Sequence, residues 1–276
     1  MSTSSLLRRR GFEALRGHWQ TALLITFAAG ILSIALSVLQ VHISSISGVL
    51  RSNFSILSQW DAQTRPYQGT FIFLTILELL FGPVLGIGLN HYYLELHFGL
   101  EAKFSLLFSR MQIFGKCLGQ TIIIGLLVSF WTLIIYIPCI LLFFLIRLIS
   151  PFLIVVAALA STVSGLMAYY RYAMAPYLMA EDPELSVMDT IRQSKEMMEG
   201  NKGRLFRLYL SFIGWALLAV GLVILLNSLL GTLGFGIGLF AAFALQVYMN
   251  SAVAAFYLEL PTRMNRPEKP EQTNVA

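Results

Sequence analysis

The chain has 276 residues, of which 57% are hydrophobic and 12% are charged, and its mean hydropathy is +0.74. An ordinary globular domain carries about 25% charged residues, so this chain has more apolar residues than one water-soluble core can bury. The same composition excludes collagen, disordered chains and coiled coils, which are more polar or more repetitive. We therefore expect an all-α integral membrane protein.

Uncharged apolar segments predict a bundle of six transmembrane helices, because a helix needs about 20 apolar residues to cross the hydrocarbon core. The longest such segment runs from Arg207 to Glu259, and the glycine-rich sequence GTLGFGIG divides it into two spans. Residues 1–260 are thus predicted to form a single six-span domain, with a long outer loop at 43–70 and a polar cytoplasmic tail at 261–276. The predicted spans are 21–42, 71–93, 117–140, 151–172, 205–229 and 232–257.

The distribution of basic residues predicts the orientation of these spans. With six spans both termini lie on one side, and that side holds sixteen of the 19 Lys and Arg residues. Cytoplasmic loops carry such an excess, so we expect both termini to be cytoplasmic and the protein to lie in a plasma membrane. The net charge of +5 is spread over every inner loop instead of one face, which argues against binding to nucleic acid.

Three segments on the cytoplasmic side are predicted to form short amphipathic helices at the membrane interface: 6–19, 104–114 and 186–200. The last is the clearest, because Ser186 and Asp189 resemble a capping box and Gly200 is a suitable stop. We expect this segment to face lipid or a partner; a solvated helical connection between spans is the alternative. The candidate residues for this contact are Ile191, Lys195, Lys202 and Arg204.

The segment from Tyr172 to Trp215 resembles a known family. The matching residues are Ala175, Pro176, Asp182, Pro183, Ser186, Ile191, Ser194, Lys195, Met198, the run 200–202, Leu205, Phe206 and the run 211–215; upstream, Phe104, Phe108, the run 114–116, Trp131, Ile137 and Pro138 also fit. On these residues the chain resembles bacterial integral membrane proteins grouped as domain-of-unknown-function family 975. Cys139 stands where that family usually has glycine. The resemblance implies a multi-pass membrane protein and implies no particular chemistry.

Motifs for catalysis or metal binding are absent from the sequence. There is no HExxH, GxSxG, phosphate-binding loop or CxxC sequence. His91 and His97 are six residues apart, which places them on different faces of a helix, and the cysteines Cys117 and Cys139 are interpreted as buried thiols. We therefore predict no catalytic residue, no metal site and no cofactor, and a protein that is not an enzyme.

The polar residues inside the spans are the remaining candidates for function. Glu78 lies within the second span, where a carboxyl group normally faces the bundle interior or water. It is either a proton- or cation-handling group or a structural carboxyl bonded to a neighbouring helix, for example through Arg147. Gln246 and Asn250 are four residues apart and share a face of the last span, where they either line a path or form hydrogen bonds between helices.

These features favour a non-enzymatic accessory or assembly component of the membrane, and its expected partners are the lipid bilayer and other membrane proteins. The alternative is a small-solute or ion transporter that uses Glu78 and the polar residues of the last span. An enzyme acting on lipid is the third interpretation.

Overall fold

A computed structural model describes residues 3–47, 56–100, 103–145 and 151–260 of the chain. These residues are almost entirely helical, with 89% in helices and no strands. Two short 3₁₀ turns, Phe104–Phe108 and Met111–Ile113, precede the fourth helix. The described α-helices are α1 Thr3–Leu15, α2 Trp19–Ser47, α3 Ile56–His97, α4 Phe114–Leu145, α5 Pro151–Tyr172, α6 Ala175–Glu181, α7 Val187–Met198, α8 Lys202–Leu230 and α9 Thr232–Leu258.

Five of the described helical segments are long and apolar enough to cross a membrane: Trp19–Leu39, Gly69–His97, Phe104–Pro138, Lys202–Leu230 and Thr232–Leu258. Each overlaps one predicted span, so the expected all-α fold with several membrane-spanning helices is confirmed. The fourth predicted span coincides with α5 but is not among these five. The total of six therefore stays a prediction.

The predicted outer loop at 43–70 is wrong in most of its length, because α2 continues to Ser47 and α3 begins at Ile56. The loop was predicted because hydropathy falls in this segment. Hydropathy measures how well a segment dissolves in the bilayer and not whether it forms a helix, and both helices continue beyond their apolar parts. The predicted helix at 104–114 is likewise two 3₁₀ turns. The polar tail predicted at 261–276 lies outside the described residues.

Buried residues concentrate at one end of the bundle, which we call the inner end. It comprises α1, α6 and α7 together with the adjoining ends of α3, α4, α8 and α9. Along α8 the contrast is direct: Leu208 is 0% exposed, whereas Leu217 and Leu229 are 67% and 69% exposed. We call the remainder of the long helices the outer half; its exposed apolar surface is of the kind that contacts lipid.

Helices α8 and α9 form a close antiparallel pair. A Cβ atom on Gly238 would lie 2.6 Å from the Cα of Val223, which is shorter than real contacts allow. Glycine spaced by four residues lets helix backbones approach in this way, and Gly234 lies one turn earlier on the same face. The close approach fixes the position of α9, whose last turns carry much of the inner core.

Candidate functional site

The inner end contains the largest group of buried polar contacts in the described residues, and it is built around a break between α5 and α6. Helix α5 ends at Tyr172, and Pro176 at the start of α6 lacks the N–H that a continuous helix would use. The break leaves main-chain groups without helical partners, and such buried groups need other hydrogen bonds. Two side chains from other helices provide them.

Ser194 of α7 and Gln120 of α4 are these two side chains. The Ser194 hydroxyl donates to the carbonyl of Arg171 and accepts from the amide of Met174, both at 3.2 Å. The Gln120 amide donates to the carbonyl of Ala175 at 3.0 Å and to the hydroxyl of Thr190 at 2.7 Å. Both side chains are fully buried. Their hydrogen bonds connect α4 to α6 and α7, and connect α7 to the end of α5.

The first and last helices meet through a similar set of contacts. A Cβ atom on Gly11 would lie 2.8 Å from the amide nitrogen of Ala252, so only glycine fits between α1 and α9. The hydroxyl of Ser251 donates to the carbonyl of Gly11 at 2.9 Å, and Nε2 of His97 lies 2.9 Å from the carbonyl of Ser251. The N-terminal helix is therefore part of the core.

Basic side chains hold the segment that connects α6 to α7. Arg110 donates to the carbonyl of Ala180, and its Nη2 lies 3.3 Å from Nδ1 of His91. Lys116 donates to the carbonyl of Pro183 at 2.9 Å. The cations thus bond to carbonyls in the last turn of α6 and just after it, where a positive charge also interacts favourably with the helix end.

Aromatic contacts complete this core. Tyr177 of α6 stacks on Tyr257 of α9 with ring centroids 5.4 Å apart, and the Tyr257 hydroxyl donates to the carboxylate of Glu181. Burial raises the pKa of Tyr177 well above its usual value, because the low-dielectric surroundings disfavour the phenolate. Tyr177 therefore remains neutral at physiological pH.

The predicted intramembrane site does not form one cluster. Glu78 accepts a hydrogen bond of 2.5 Å from Ser33 of α2, and its other carboxylate oxygen is buried without a partner among the described residues. Asn250 contacts Tyr93, which is fifteen residues further along α3 than Glu78 and hence about 22 Å away. Gln246 is exposed on α9. The possible partner Arg147 lies outside the described residues.

The segment from Ser186 to Met198 forms the predicted capped helix. The Ser186 hydroxyl accepts a hydrogen bond of 3.2 Å from the amide of Asp189, and the helix ends before Gly200, whose φ is 74°. One face of this helix, α7, packs against α4, α5 and α6.

The four candidate residues around α7 have different surroundings. Ile191 lies on the packed face and is 7% exposed, whereas Lys195 is on the exposed face. Arg204 bonds to Glu259 at 3.4 Å, and Glu259 also pairs with Arg10 at 2.6 Å, so this carboxylate joins α1, α8 and the end of α9. Lys202 is half-buried at the start of α8. Whether these residues meet lipid or a partner stays a prediction.

Comparison with known families identifies the family of the chain. The family described as "Protein of unknown function (DUF975)" matches residues 1–264. The chain belongs to this family. The predicted resemblance is thereby confirmed, and the match includes both α1 and the inner end of α9. No curated protein and no solved structure matches the chain.

Sequence reasoning missed most of the residues that build the inner end, among them Gln120, Ser194 and Ser251. A usable signal was present for Gln120 and Ser251, because each is an uncharged polar residue in an apolar span, where hydrogen bonds between helices are common. Within the described residues no group of three or more His, Cys, Asp or Glu side chains is arranged to hold a metal ion.

Proposed function

We propose that this family member is a six-span protein of a bacterial plasma membrane, with both termini cytoplasmic, and that its inner end is a rigid scaffold that binds other membrane proteins. The observation that carries the proposal is the use of the polar side chains at the inner end. Gln120, Ser251 and Lys116 each donate to main-chain carbonyls of the protein itself. Such contacts stabilise a shape, which favours a binding role over catalysis.

The exposed face of α7 is the proposed binding surface. Met188 is 64% exposed although its neighbour Ile191 is buried, and Arg192 and Lys195 lie on the exposed side of the same helix. This face of α7 is suited to a protein partner, because it combines a large exposed apolar side chain with nearby cations. The helix that carries them is held in place at both ends.

Photo-crosslinking from Met188 tests this surface. A benzoylphenylalanine residue at position 188 is expected to give a discrete adduct with another membrane protein in intact cells. The matched control is the same residue at position 217, since Leu217 is equally exposed but lies in the outer half. Adducts only with lipid from position 188, or the same protein adducts from both positions, would contradict the proposal.

The topology is tested separately with reporter fusions. A fusion after Trp60 is expected to report the outer side and a fusion after Glu196 the cytoplasmic side, as the excess of basic residues in the inner segments predicts. The same compartment for both fusions would contradict the six-span arrangement.

Transport is the second candidate, and the surroundings of Glu78 favour it. The carboxylate is bonded to Ser33 on one oxygen and lacks a described partner on the other, inside the bilayer-spanning part of α3. The transport hypothesis predicts ion or proton flux in proteoliposomes that Glu78→Gln abolishes and Ser228→Ala leaves unchanged, because Ser228 is exposed and bonds to its own helix. The scaffold proposal predicts no flux above that of empty vesicles for any of the three proteins.

A further inference from the structure

An apolar groove with two cations at one end lies where α4, α5 and the start of α8 meet. Its volume is about 340 Å³. On α5 its lining residues recur every three or four positions, which places them on one face of the helix. From Ala160 to Arg171 this face extends for about 16 Å, at about 1.5 Å per residue. Trp131 lines the groove from α4 and Lys202 from α8.

The charges of the groove are all of one sign. Arg171 in the last turn of α5 and Lys202 in the first turn of α8 are both half-buried, and no acidic residue lines the groove. In the described part of the chain neither side chain has a hydrogen bond or an ion pair, whereas the nearby Arg204 is paired with Glu259. Partly buried positive charges without a counter-charge favour an anionic ligand.

A second groove on the other side of the bundle provides an internal comparison. It has a similar volume of about 360 Å³ and lies between α8 and α9, where Trp19, Trp215 and Leu222 are among its lining residues. None of its lining residues is charged. The two grooves therefore offer similar room for an acyl chain and differ in their charge.

We propose that the groove beside α5 is a specific site for one anionic phospholipid. The phosphate lies between Arg171 and Lys202, and an acyl chain follows the face of α5 towards Ala160, beside Trp131. The length of that face and the position of both cations at its inner end fit a lipid of the cytoplasmic leaflet. This inference rests on the proposed topology, with the inner end on the cytoplasmic side, but does not depend on whether α7 binds a protein partner.

Tryptophan quenching by brominated lipid tests the site. Two single-tryptophan proteins are compared: one keeps Trp131, and the other keeps Trp215 in the uncharged groove. Both are reconstituted in phosphatidylcholine that contains a minor fraction of either brominated phosphatidylglycerol or brominated phosphatidylcholine. Two basic residues near one phosphate should favour the anionic lipid over phosphatidylcholine at Trp131 by about 30-fold. At Trp215 the two brominated lipids should quench equally.

Two variants separate the headgroup contact from the chain contact. The double variant Arg171→Gln and Lys202→Gln should remove the enrichment at Trp131, and Ala160→Phe should reduce quenching by filling the groove while both cations remain. Arg16→Gln is the charge control, because Arg16 is exposed and does not line the groove. Crosslinking from position 188 should be unchanged in all of them.

Three results would overturn the site. These are equal quenching of Trp131 by the two lipids, enrichment that survives the double variant, and equal enrichment at Trp215. Loss of the enrichment on adding inorganic phosphate, but not chloride at the same ionic strength, would assign the cations to a soluble phosphate and would equally contradict the proposal.

Discussion

Helix α8 contains two different environments in one continuous helix. At its inner end Leu205 and Leu208 are fully buried against protein, whereas in its outer half Leu217 and Leu229 are largely exposed. Lipid chains are as apolar as leucine, so helix contacts in the outer half gain little from hydrophobic burial. The inner end instead buries its apolar residues in a protein core, with short helices α1, α6 and α7 completing it. The difference shows that packing between side chains is concentrated at the end of the bundle where function is proposed.

The polar groups follow the same division. Inner-end side chains such as Gln120 and Ser251 bond to main-chain carbonyls from distant parts of the chain. In the outer half, hydroxyls such as that of Ser228 bond to the preceding turn of their own helix, and bonds between helices, such as that from Ser33 to Glu78, involve exposed or half-buried groups. Buried polar contacts that hold separate helices together are thus a feature of the inner end.

Leucine-to-alanine substitutions in the two environments of α8 should differ most in their effect on the free energy of unfolding. Leu208→Ala leaves a cavity in the inner core and is expected to cost about 3 kcal/mol, whereas Leu217→Ala should cost under about 0.5 kcal/mol. Unfolding on heating can be followed in nanodiscs by the reaction of the buried thiol Cys117 with a dye, in a Cys139→Ser background. Equal losses would contradict the division between the two ends.

Removing a buried amide should have the next largest effect. Gln120→Ala removes two buried hydrogen bonds, one to α6 and one to α7, at an expected cost of about 2–3 kcal/mol. Gln246→Ala is the matched control, since Gln246 is exposed. The same thermal assay should detect a loss only for the first variant.

Adding a single methyl group between α1 and α9 tests whether the N-terminal helix belongs to the core. Gly11→Ala places a Cβ against the backbone of Ala252 and should cost about 2 kcal/mol. Gly203→Ala has open space around it and improves helix propensity, so it should be neutral or slightly stabilising. A neutral Gly11→Ala variant in the thermal assay would mean that α1 is not packed on α9.

The smallest effect is expected at the cap of α7. Ser186→Ala removes the hydrogen bond to the amide of Asp189 and should destabilise the helix by about 1 kcal/mol. Ser186→Thr keeps a hydroxyl that can accept from the amide of Asp189 and donate to its carboxylate, and should restore most of the loss. Limited proteolysis between α6 and α8 measures the difference, and equal cleavage of both variants would show that the cap contributes nothing.

The spans and the capped helix were predictable because their signals are local. Absence of charge over some 20 residues indicates a span whatever surrounds it, and Ser186 with Asp189 is a cap within four residues. The same local reasoning failed at 56–70, where polar residues suggested a loop and α3 is present instead.

The inner end was not predictable in this way because its partners are distant in sequence. Ser194 serves a helix break some 20 residues away, and Ser251 bonds to Gly11 at the opposite end of the chain. To predict which side chains bond at the break between α5 and α6, one must know which main-chain groups lack helical partners there. Ile191 illustrates the result: its apolar character was evident, but whether it faces lipid or protein depends on where α4 and α5 lie.

Hydrogen exchange of the whole protein in nanodiscs tests the packed inner end most directly. Helices α6 and α7 lie outside the apolar spans identified in the described chain, so only packing can protect their amides. We predict that the amides of Val187–Met198 exchange about as slowly as those at the inner end of α9, and far more slowly than the connection at 183–186. Exchange of α7 at the rate of an unstructured peptide would contradict the account.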